Sequence, residues 1–122
     1  MRLMEANAAI AALSALAHAG RLEVFRLLVR AGKDGMAAGE IAQATGHVPQ
    51  TLSGNLNILG HAGLVASRRE GRSIIYTADY ARMSGLLGFL MEDCCAGSSE
   101  ICAPLVDIAT RAACCPPQGA VQ

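Results

Sequence analysis

The chain has 122 residues, of which 52% are hydrophobic but only 3% aromatic, and its formal net charge at pH 7 is zero. A chain of this length holds one domain, and an interior rich in Ala and Leu favours helices because these side chains lose little freedom there. The balanced charge excludes a uniformly basic surface, although DNA binding requires only a local basic patch that displaces counterions from phosphates.

Residues 1–19 have features of a secretory signal: an early arginine, an apolar run and an Ala-His-Ala segment. Three observations argue against a signal. Glu5 offsets Arg2, the run is mostly alanine rather than leucine, and the apolar spacing continues past Ala19. We therefore expect a first helix in a cytoplasmic protein. No stretch of the sequence is apolar enough over a sufficient length to predict a membrane span.

Apolar residues at three- to four-residue spacing predict two helices in the first part of the chain. The stripes are Ile10, Leu13 and Leu16 in the first helix and Leu22, Phe25 and Leu28 in the second. Gly20 is expected to interrupt them, and a turn follows over 32–35. A short third helix is predicted over 38–45, with Ile41 as its inward anchor and Gly46 as its C-terminal cap.

A fourth helix is predicted over 49–61, because Pro49 suits a first helical turn and leucines recur on one side. These leucines are Leu52, Leu56 and Leu59. The other faces carry amides and hydroxyls with almost no charge, whereas a solvated face more often carries Lys and Glu. Amides and hydroxyls hydrogen-bond base edges and phosphates in a major groove. The predicted DNA contacts are Gln50, Thr51, Ser53, Asn55 and Asn57.

Two short strands over 64–68 and 72–77, rich in Val, Ile and Tyr, predict a hairpin with Gly71 supplying the positive φ of its turn. The hairpin tip is basic, which predicts contact with a phosphate backbone. The arginines concerned are Arg68, Arg69 and Arg72. Asp79 is expected to cap a fifth helix, and beyond residue 93 the helical periodicity fades into a Ser-, Gly- and Pro-containing tail.

All five cysteines lie in 94–122, as an adjacent pair, a single residue and a second adjacent pair. They are Cys94, Cys95, Cys102, Cys114 and Cys115. Thiolates are soft ligands that select ions ignored by oxygen ligands. The sequence therefore predicts a site for a soft ion that follows a DNA-binding module in the chain.

Four sequence blocks along residues 10–92 resemble the ArsR/SmtB family of bacterial homodimeric repressors, which release DNA when a metal or metalloid binds. The blocks are LSALAHAGRLEVFRLL from Leu13, GEIA from Gly39, LSGNLNILGHAGLV from Leu52, and REGR from Arg69 with Tyr76. The resemblance implies a mainly α winged helix-turn-helix fold of about five helices and a two-stranded wing. It also implies a DNA-binding and dimerisation domain over 1–93 and a Cys-rich sensor loop and flexible tail over 94–122.

The family dimerises through its first and fifth helices. This implies an interface built from Ile10, Leu13, Leu16, Met83, Leu87 and Leu90. Two sensor patterns of the family are absent from this sequence, since the third helix has no Cys-Val-Cys and the fifth has no histidine. The cysteines look like those of arsenic repressors with thiolates at the end of the fifth helix. The resemblance therefore implies that Cys94, Cys95 and Cys102 bind trivalent arsenic as arsenite. Methylarsenite and the analogous antimonite would compete for the same thiols.

Other interpretations of the cysteines remain open from the sequence. Cys114 and Cys115 would donate a ligand, form a secondary metal site or be incidental. Oxidation to a disulfide or polysulfide would make the protein a redox- or persulfide-sensing repressor of the same fold. Zinc would need a fourth ligand, and a soft-metal sequestering protein would not need the polar helix face. An enzyme is not expected, because no glycine-rich phosphate loop joins a strand to a helix.

Overall fold

The computed structural model describes residues 5–91, which form five helices and a three-stranded antiparallel sheet. In chain order the elements are α1 (Ala6–Leu16), α2 (Ala19–Ala31), a 3-10 turn (Gly32–Asp34), β1 (Met36–Ala37), α3 (Ala38–Thr45), α4 (Pro49–His61), β2 (Val65–Glu70), β3 (Ser73–Ala78) and α5 (Tyr80–Met91). The predicted mainly α winged helix-turn-helix is confirmed.

Helix α1 packs on the domain through its alanines rather than through its large side chains. Ala9, Ala12 and Ala15 are buried, whereas Ile10 and Leu13 are 63% and 42% exposed. Small residues let the helix approach the core closely, and they leave the larger side chains on the outer face. The stripe that predicts the helix is therefore not the stripe that holds it to the domain.

The break between α1 and α2 falls at Ala17 and His18, so the prediction that Gly20 interrupts the helices is wrong. His18 is the N-cap of α2, and its Nδ1 accepts a hydrogen bond from the Gly20 N–H at 3.2 Å. Arg21 Nε donates to the Ala15 carbonyl at 2.6 Å and so ties the second helix to the end of the first. An imidazole acceptor can begin a helix because it satisfies one of the free first-turn N–H groups.

Helix α2 buries Val24, Phe25 and Leu28, whereas Leu22 is 42% exposed and lies outside the core. The predicted stripe thus differs at its first member, because Val24, two residues after Leu22, takes the buried place. The remaining core consists of leucines and small apolar residues from α3, α4, α5 and the strand ends. They are Ile41, Leu52, Leu56, Leu59, Leu64, Val65, Ala78 and Leu86.

Helices α3 and α4 have the predicted bounds, and the turn between them is built by local capping. The Glu40 carboxylate accepts a hydrogen bond from the Ala37 N–H at 2.8 Å, which satisfies a donor at the start of α3. Gly46 ends α3 in the left-handed conformation with φ 78°, as predicted. His47 Nε2 then lies 3.1 Å from Glu23 Oε1, which links this turn to α2.

The sheet contains a strand that the sequence pattern did not reveal. Its order is β1-β3-β2, and Met36 and Ala37 of β1 pair with Tyr76 and Ile75 of β3. Two residues are too few to produce an alternating pattern, so β1 exists only because β3 offers a partner. The predicted hairpin of β2 and β3 is confirmed, and Glu70 and Ser73 close it around Gly71.

Helix α5 begins as predicted, because Asp79 Oδ1 accepts a hydrogen bond from the Arg82 N–H at 2.9 Å. Tyr80 Oη donates to the Val29 carbonyl at 2.9 Å, and Leu86 is buried in the core. The chain up to Phe89 forms one compact unit, and the last two described residues belong to a second one. The predicted domain boundary after residue 93 lies outside the described residues and stays a prediction.

Candidate nucleic-acid interface

The surface of α4 divides into an apolar side and a polar side that differ sharply in exposure. Leu52, Leu56 and Leu59 are buried, as predicted. The exposed amide and hydroxyl side chains form an uncharged polar surface and belong to Gln50, Thr51, Ser53 and Asn57, whereas Ile58 is an exposed apolar residue of the same helix. Since the leucines anchor the helix on the core, the exposed amides are held at a defined orientation. This surface can hydrogen-bond base edges and phosphate oxygens.

The N-terminus of α4 adds donors that side-chain patterns do not reveal. Val48 is the N-cap but supplies no side-chain cap, and Pro49 follows at the first helical position. The N–H groups of Gln50 and Thr51 therefore have no capping side chain, and a helix N-terminus with free N–H groups favours an anionic oxygen. A DNA phosphate is an anion of that kind, so the start of α4 suits contact with a nucleic-acid backbone.

Asn55 does not lie on this surface, and its prediction as a DNA contact needs correction. It is only 6% exposed and belongs to the buried side of α4. A Cβ on Gly20 would lie 3.2 Å from Asn55 Nδ2 and 3.4 Å from His47 Cε1, so both side chains fill the space beside that glycine. Asn55 Nδ2 and His47 Nδ1 are buried without a hydrogen-bond partner among the described residues. We therefore remove Asn55 from the expected DNA contacts.

The burial of Asn55 predicts opposite behaviour for two asparagines of the same helix. Leucine has nearly the shape of asparagine and no buried N–H to satisfy, so we expect Asn55→Leu to raise the free energy of unfolding by about 1 kcal/mol. Its affinity for DNA from the protein's own promoter should change less than about twofold. Asn57→Leu removes an exposed amide and should weaken DNA binding about tenfold, with stability within about 0.5 kcal/mol of wild type.

Urea denaturation and fluorescence anisotropy on promoter DNA measure the two quantities for both variants. An equal loss of DNA affinity in Asn55→Leu and Asn57→Leu would return Asn55 to the DNA-contacting set. Both variants replace an asparagine of α4 with leucine, so a general effect of leucine on this helix would appear in both.

The β2–β3 hairpin presents its three arginines in different ways. Arg69 and Arg72 are exposed at the tip, on either side of Glu70 and Gly71. Gly71 has φ 63°, which confirms the predicted turn residue. The third arginine, Arg68, is directed back onto the domain, where its guanidinium meets backbone carbonyls and Glu70. Two of the three predicted arginines are therefore available at the tip.

A groove of about 180 Å³ lies between α4 and the wing. Asn57 and His61 line its helix side, and Ala66 and Ser67 line its strand side. The groove thus places Asn57 of the amide surface next to strand β2, whose far end leads into the basic tip. A duplex lying along this region would meet hydrogen-bonding groups from the helix and positive charge from the wing.

The predicted sensor residues lie outside the described residues. Cys94, Cys95, Cys102, Cys114 and Cys115 all follow residue 91. Within 5–91, no three His, Cys, Asp or Glu side chains are grouped so that they could hold a metal ion. The histidines at 18 and 47 are instead engaged in helix capping and in a contact with Glu23.

Both helices that are predicted to dimerise carry exposed apolar side chains. On α1 these are Ile10 and Leu13, and on α5 Leu87 and Leu90 are 48% and 50% exposed. Leu16 and Met83 are half-buried. Each helix therefore offers apolar surface to water, which is typical of an interaction site.

Among residues 5–91, no single helix has the length and apolar character needed to cross a membrane. The segments Ala6–Leu16 and Ala19–Asp34 reach that length and composition only as a pair, and the chain bends by 103° between them.

The fold and the groove define a class of protein, the winged helix-turn-helix DNA-binding proteins, and comparisons with known proteins agree. A helix-turn-helix domain family matches residues 16–68. No curated protein sequence matches the chain. Among solved structures, an ArsR-like transcriptional regulator from Rhodococcus sp. RHA1 has a TM-score of 0.65 at 26% identity, over 84% of this chain and 93% of that one.

Two further solved structures narrow the class. The homodimeric winged helix-turn-helix DNA-binding domain of a "possible ArsR-family transcriptional regulator" from Mycobacterium bovis is 34% identical, over 71% of this chain and 81% of that one, with a TM-score of 0.57. The transcriptional repressor BigR from Xylella fastidiosa is 29% identical, over 71% of this chain and 88% of that one, with a TM-score of 0.54. The chain belongs to the ArsR family of transcriptional regulators.

Proposed function

We propose that this protein is a homodimeric repressor that binds operator DNA when it is free of metalloid and is released by trivalent arsenic. The DNA-binding half of the proposal is carried by one observation. Asn57 of the exposed amide and hydroxyl surface of α4 lines a groove whose other side is strand β2, and β2 leads to Arg69 and Arg72 at the wing tip. Such a regulator acts in the compartment that holds the DNA, which for a bacterial protein is the cytoplasm.

The exposed apolar side chains of α1 and α5 support a homodimer. In a monomer, the apolar side chains of Ile10 and Leu87 would remain exposed to water. A two-fold interface would bury both copies of each side chain. The relative from Mycobacterium bovis is a homodimer, which supports the same assembly for this chain. A dimer would present two α4 helices to two half-sites of an operator.

The cysteine cluster supports metalloid sensing. The sequence has no cysteine before Cys94, and its first three thiols lie within nine residues, a spacing that one short loop can close. Arsenous acid carries three hydroxyl groups. When the thiols of Cys94, Cys95 and Cys102 replace them, three As–S bonds form and three waters leave without any change of oxidation state. Antimonite would react in the same way, and methylarsenite would need only two thiols.

Ligand binding would act on DNA affinity through a shift in population. Cys94 lies three residues after Met91, the last described residue of α5, and α5 belongs to the proposed dimer interface. A ligated cluster would constrain the chain next to that helix. If the constrained dimer holds its two α4 helices at a spacing that suits the operator less well, the affinity for DNA falls by the coupling free energy.

Thiol oxidation is the second candidate, and the same cysteines support it. A disulfide or polysulfide formed between Cys102 and one member of the Cys94-Cys95 pair would constrain the same segment. The protein would then be a redox- or persulfide-sensing repressor, with fold, dimer and DNA surface unchanged. A soft-metal sequestering protein explains the cysteines but not the polar surface of α4, and so it ranks below both.

An arsenite titration separates these candidates. Reduced wild-type protein bound to labelled promoter DNA should lose affinity by about 5- to 150-fold at saturating arsenite, the usual range of allosteric coupling. Cys102→Ser leaves two thiolates and should bind DNA normally but lose most of this response. Cys114→Ser is the matched control and should respond like the wild type if the second pair is incidental.

Three results would contradict the arsenic assignment or part of it. DNA binding that ignores arsenite but is abolished by peroxide or polysulfide would make the protein a thiol-redox sensor. Loss of the arsenite response in Cys114→Ser would place the second cysteine pair in the site. Absence of any binding to promoter DNA by the reduced protein would contradict the repressor function as a whole.

A further inference from the structure

Arg68 makes an unusual set of contacts for a residue on an exposed hairpin. Its Nε donates to Glu70 Oε2 at 2.7 Å, its Nη1 to the Lys33 carbonyl at 3.2 Å, and its Nη2 to the Asp34 carbonyl at 2.9 Å. All three guanidinium nitrogens therefore have an acceptor within the domain. The two carbonyls belong to the 3-10 turn that precedes β1, more than thirty residues earlier in the chain.

These contacts span the full width of the sheet. Because the strand order is β1-β3-β2, strand β3 lies between Arg68 and the turn that leads into β1. Arg68 pairs in register with Ile75, which in turn pairs with Ala37. The long arginine side chain thus connects an edge strand to the far side of the sheet. Among the described residues, β2 has backbone pairing only with β3, and Val65 at its start packs in the core, so the Arg68 side chain adds a connection nearer the tip of the wing.

We propose that Arg68 is a positioning residue that holds the wing against the domain, so that Arg69 and Arg72 reach the DNA backbone. It is not itself a phosphate contact. This inference rests on the proposed DNA-binding function, and it corrects the expectation that all three arginines contact phosphate. Three of the five N–H donors of this guanidinium are already used within the domain, so the side chain could turn toward a phosphate only by breaking charge-assisted hydrogen bonds.

The chemistry of the contact requires arginine. A planar guanidinium sends donors in several fixed directions, and here Nε faces Glu70 while the two Nη atoms face neighbouring carbonyls. A lysine ammonium is a point donor on a flexible chain and cannot bridge the three acceptors in this geometry. Arg68→Lys keeps the positive charge, so it separates the role of charge from the role of shape.

A double-mutant cycle on promoter DNA tests the proposal. The variants are Arg68→Ala, Arg68→Lys, the double variant Arg69→Ala/Arg72→Ala, and Arg68→Ala in that double background. We expect Arg68→Ala and Arg68→Lys each to weaken DNA binding about tenfold, an effect as large as that of the double variant. In the double background, Arg68→Ala should add less than about a twofold loss, because the arginines that it positions are already absent.

The salt dependence of binding gives a second measure. Each lost phosphate contact lowers the slope of log affinity against log salt by about 0.9. Arg68→Ala should lower it by about 1.8, as the loss of both Arg69 and Arg72 contacts would, whereas the loss of one direct contact would lower it by about 0.9. A tenfold loss for Arg68→Ala that persists in the double background would overturn the proposal.

Amide hydrogen exchange measured on the DNA-free protein tests the positioning role of Arg68 independently of the proposed DNA-binding function. The amides of β2 and β3 should exchange about tenfold faster in Arg68→Ala and Arg68→Lys, and at the wild-type rate in Arg69→Ala/Arg72→Ala. Unchanged exchange in the Arg68 variants would overturn the positioning role even if the wild type binds DNA. Faster exchange in the Arg68 variants, together with a wild-type protein that fails to bind DNA, would support the connection of Arg68 to the turn and reject the proposed function alone.

Discussion

Gly35→Ala is expected to destabilise the domain by about 3–5 kcal/mol, a large part of the roughly 5–15 kcal/mol that stabilises an ordinary domain. Gly35 has φ 71° and ψ −168°, a conformation that is essentially restricted to glycine. A Cβ at this position would lie 2.5 Å from the Tyr76 carbonyl oxygen and 2.7 Å from the Cγ2 atoms of Ile75 and Thr77. A backbone oxygen in a strand cannot move away without breaking the β1–β3 pairing.

Gly32→Ala is the matched control for this prediction. Gly32 has nearly the same backbone angles, with φ 77° and ψ −162°, but a Cβ there would have nothing within 4 Å. Gly32→Ala should therefore lower the free energy of unfolding by only about 1–3 kcal/mol, the cost of the unfavourable backbone conformation. The difference between the two variants isolates the steric term, and urea denaturation monitored by circular dichroism measures both. Equal losses of stability would mean that β3 yields easily, contrary to this expectation.

Leu87→Glu is expected to break the proposed dimer and, with it, tight DNA binding. Full burial of a leucine is worth about 1.5–3 kcal/mol, so covering the 48% of Leu87 that is exposed is worth about 0.7–1.5 kcal/mol, and a two-fold interface contains two copies. The loss of about 1.5–3 kcal/mol corresponds to a rise of about 10- to 150-fold in the dimer Kd. A buried carboxylate would add to this cost. Because two half-sites are then bound independently, the affinity for operator DNA should fall at least about 100-fold.

Leu22→Glu provides the control for exposure and charge. Leu22 lies on α2 and is 42% exposed, compared with 48% for Leu87. Leu22→Glu should leave the dimer Kd and the free energy of unfolding nearly unchanged. Sedimentation equilibrium measures the assembly, and anisotropy on promoter DNA measures the affinity. A dimer of unchanged strength in Leu87→Glu would show that α5 does not form the interface.

Local patterns were sufficient to predict most of the secondary structure. The bounds of α3 and α4 are those predicted, because Gly46 and Pro49 act on their own neighbours through φ and the missing N–H. The wing was predictable for the same reason, since Gly71 and alternating β-branched residues are local signals. Strand β1 was not, because its two residues are extended only through pairing with β3.

The candidate DNA surface could be predicted in part. The uncharged polar side of α4 can be predicted from the helical rotation of about 100° per residue, once three leucines define the buried side. Asn55 lies at the edge of that buried side, and periodicity alone leaves its exposure undecided. It is buried because Gly20 of another helix leaves room for its carboxamide. The basic cluster likewise predicts a phosphate contact for Arg68, although two of its acceptors are carbonyls far away in the sequence.

The order of the five helices and the hairpin, the caps of α3 and α5, the apolar side of α4, the resemblance to the ArsR family and the cysteine cluster could all be predicted from the sequence alone. These depend on residues within one or two turns of each other, whose interactions are set by chain geometry. Three features could be known only from the three-dimensional fold: alanines rather than Ile10 and Leu13 hold α1 to the core, Asn55 is buried, and Arg68 binds the 3-10 turn. Each of these features depends on contacts between residues that are far apart in the sequence, and local sequence patterns do not specify such contacts.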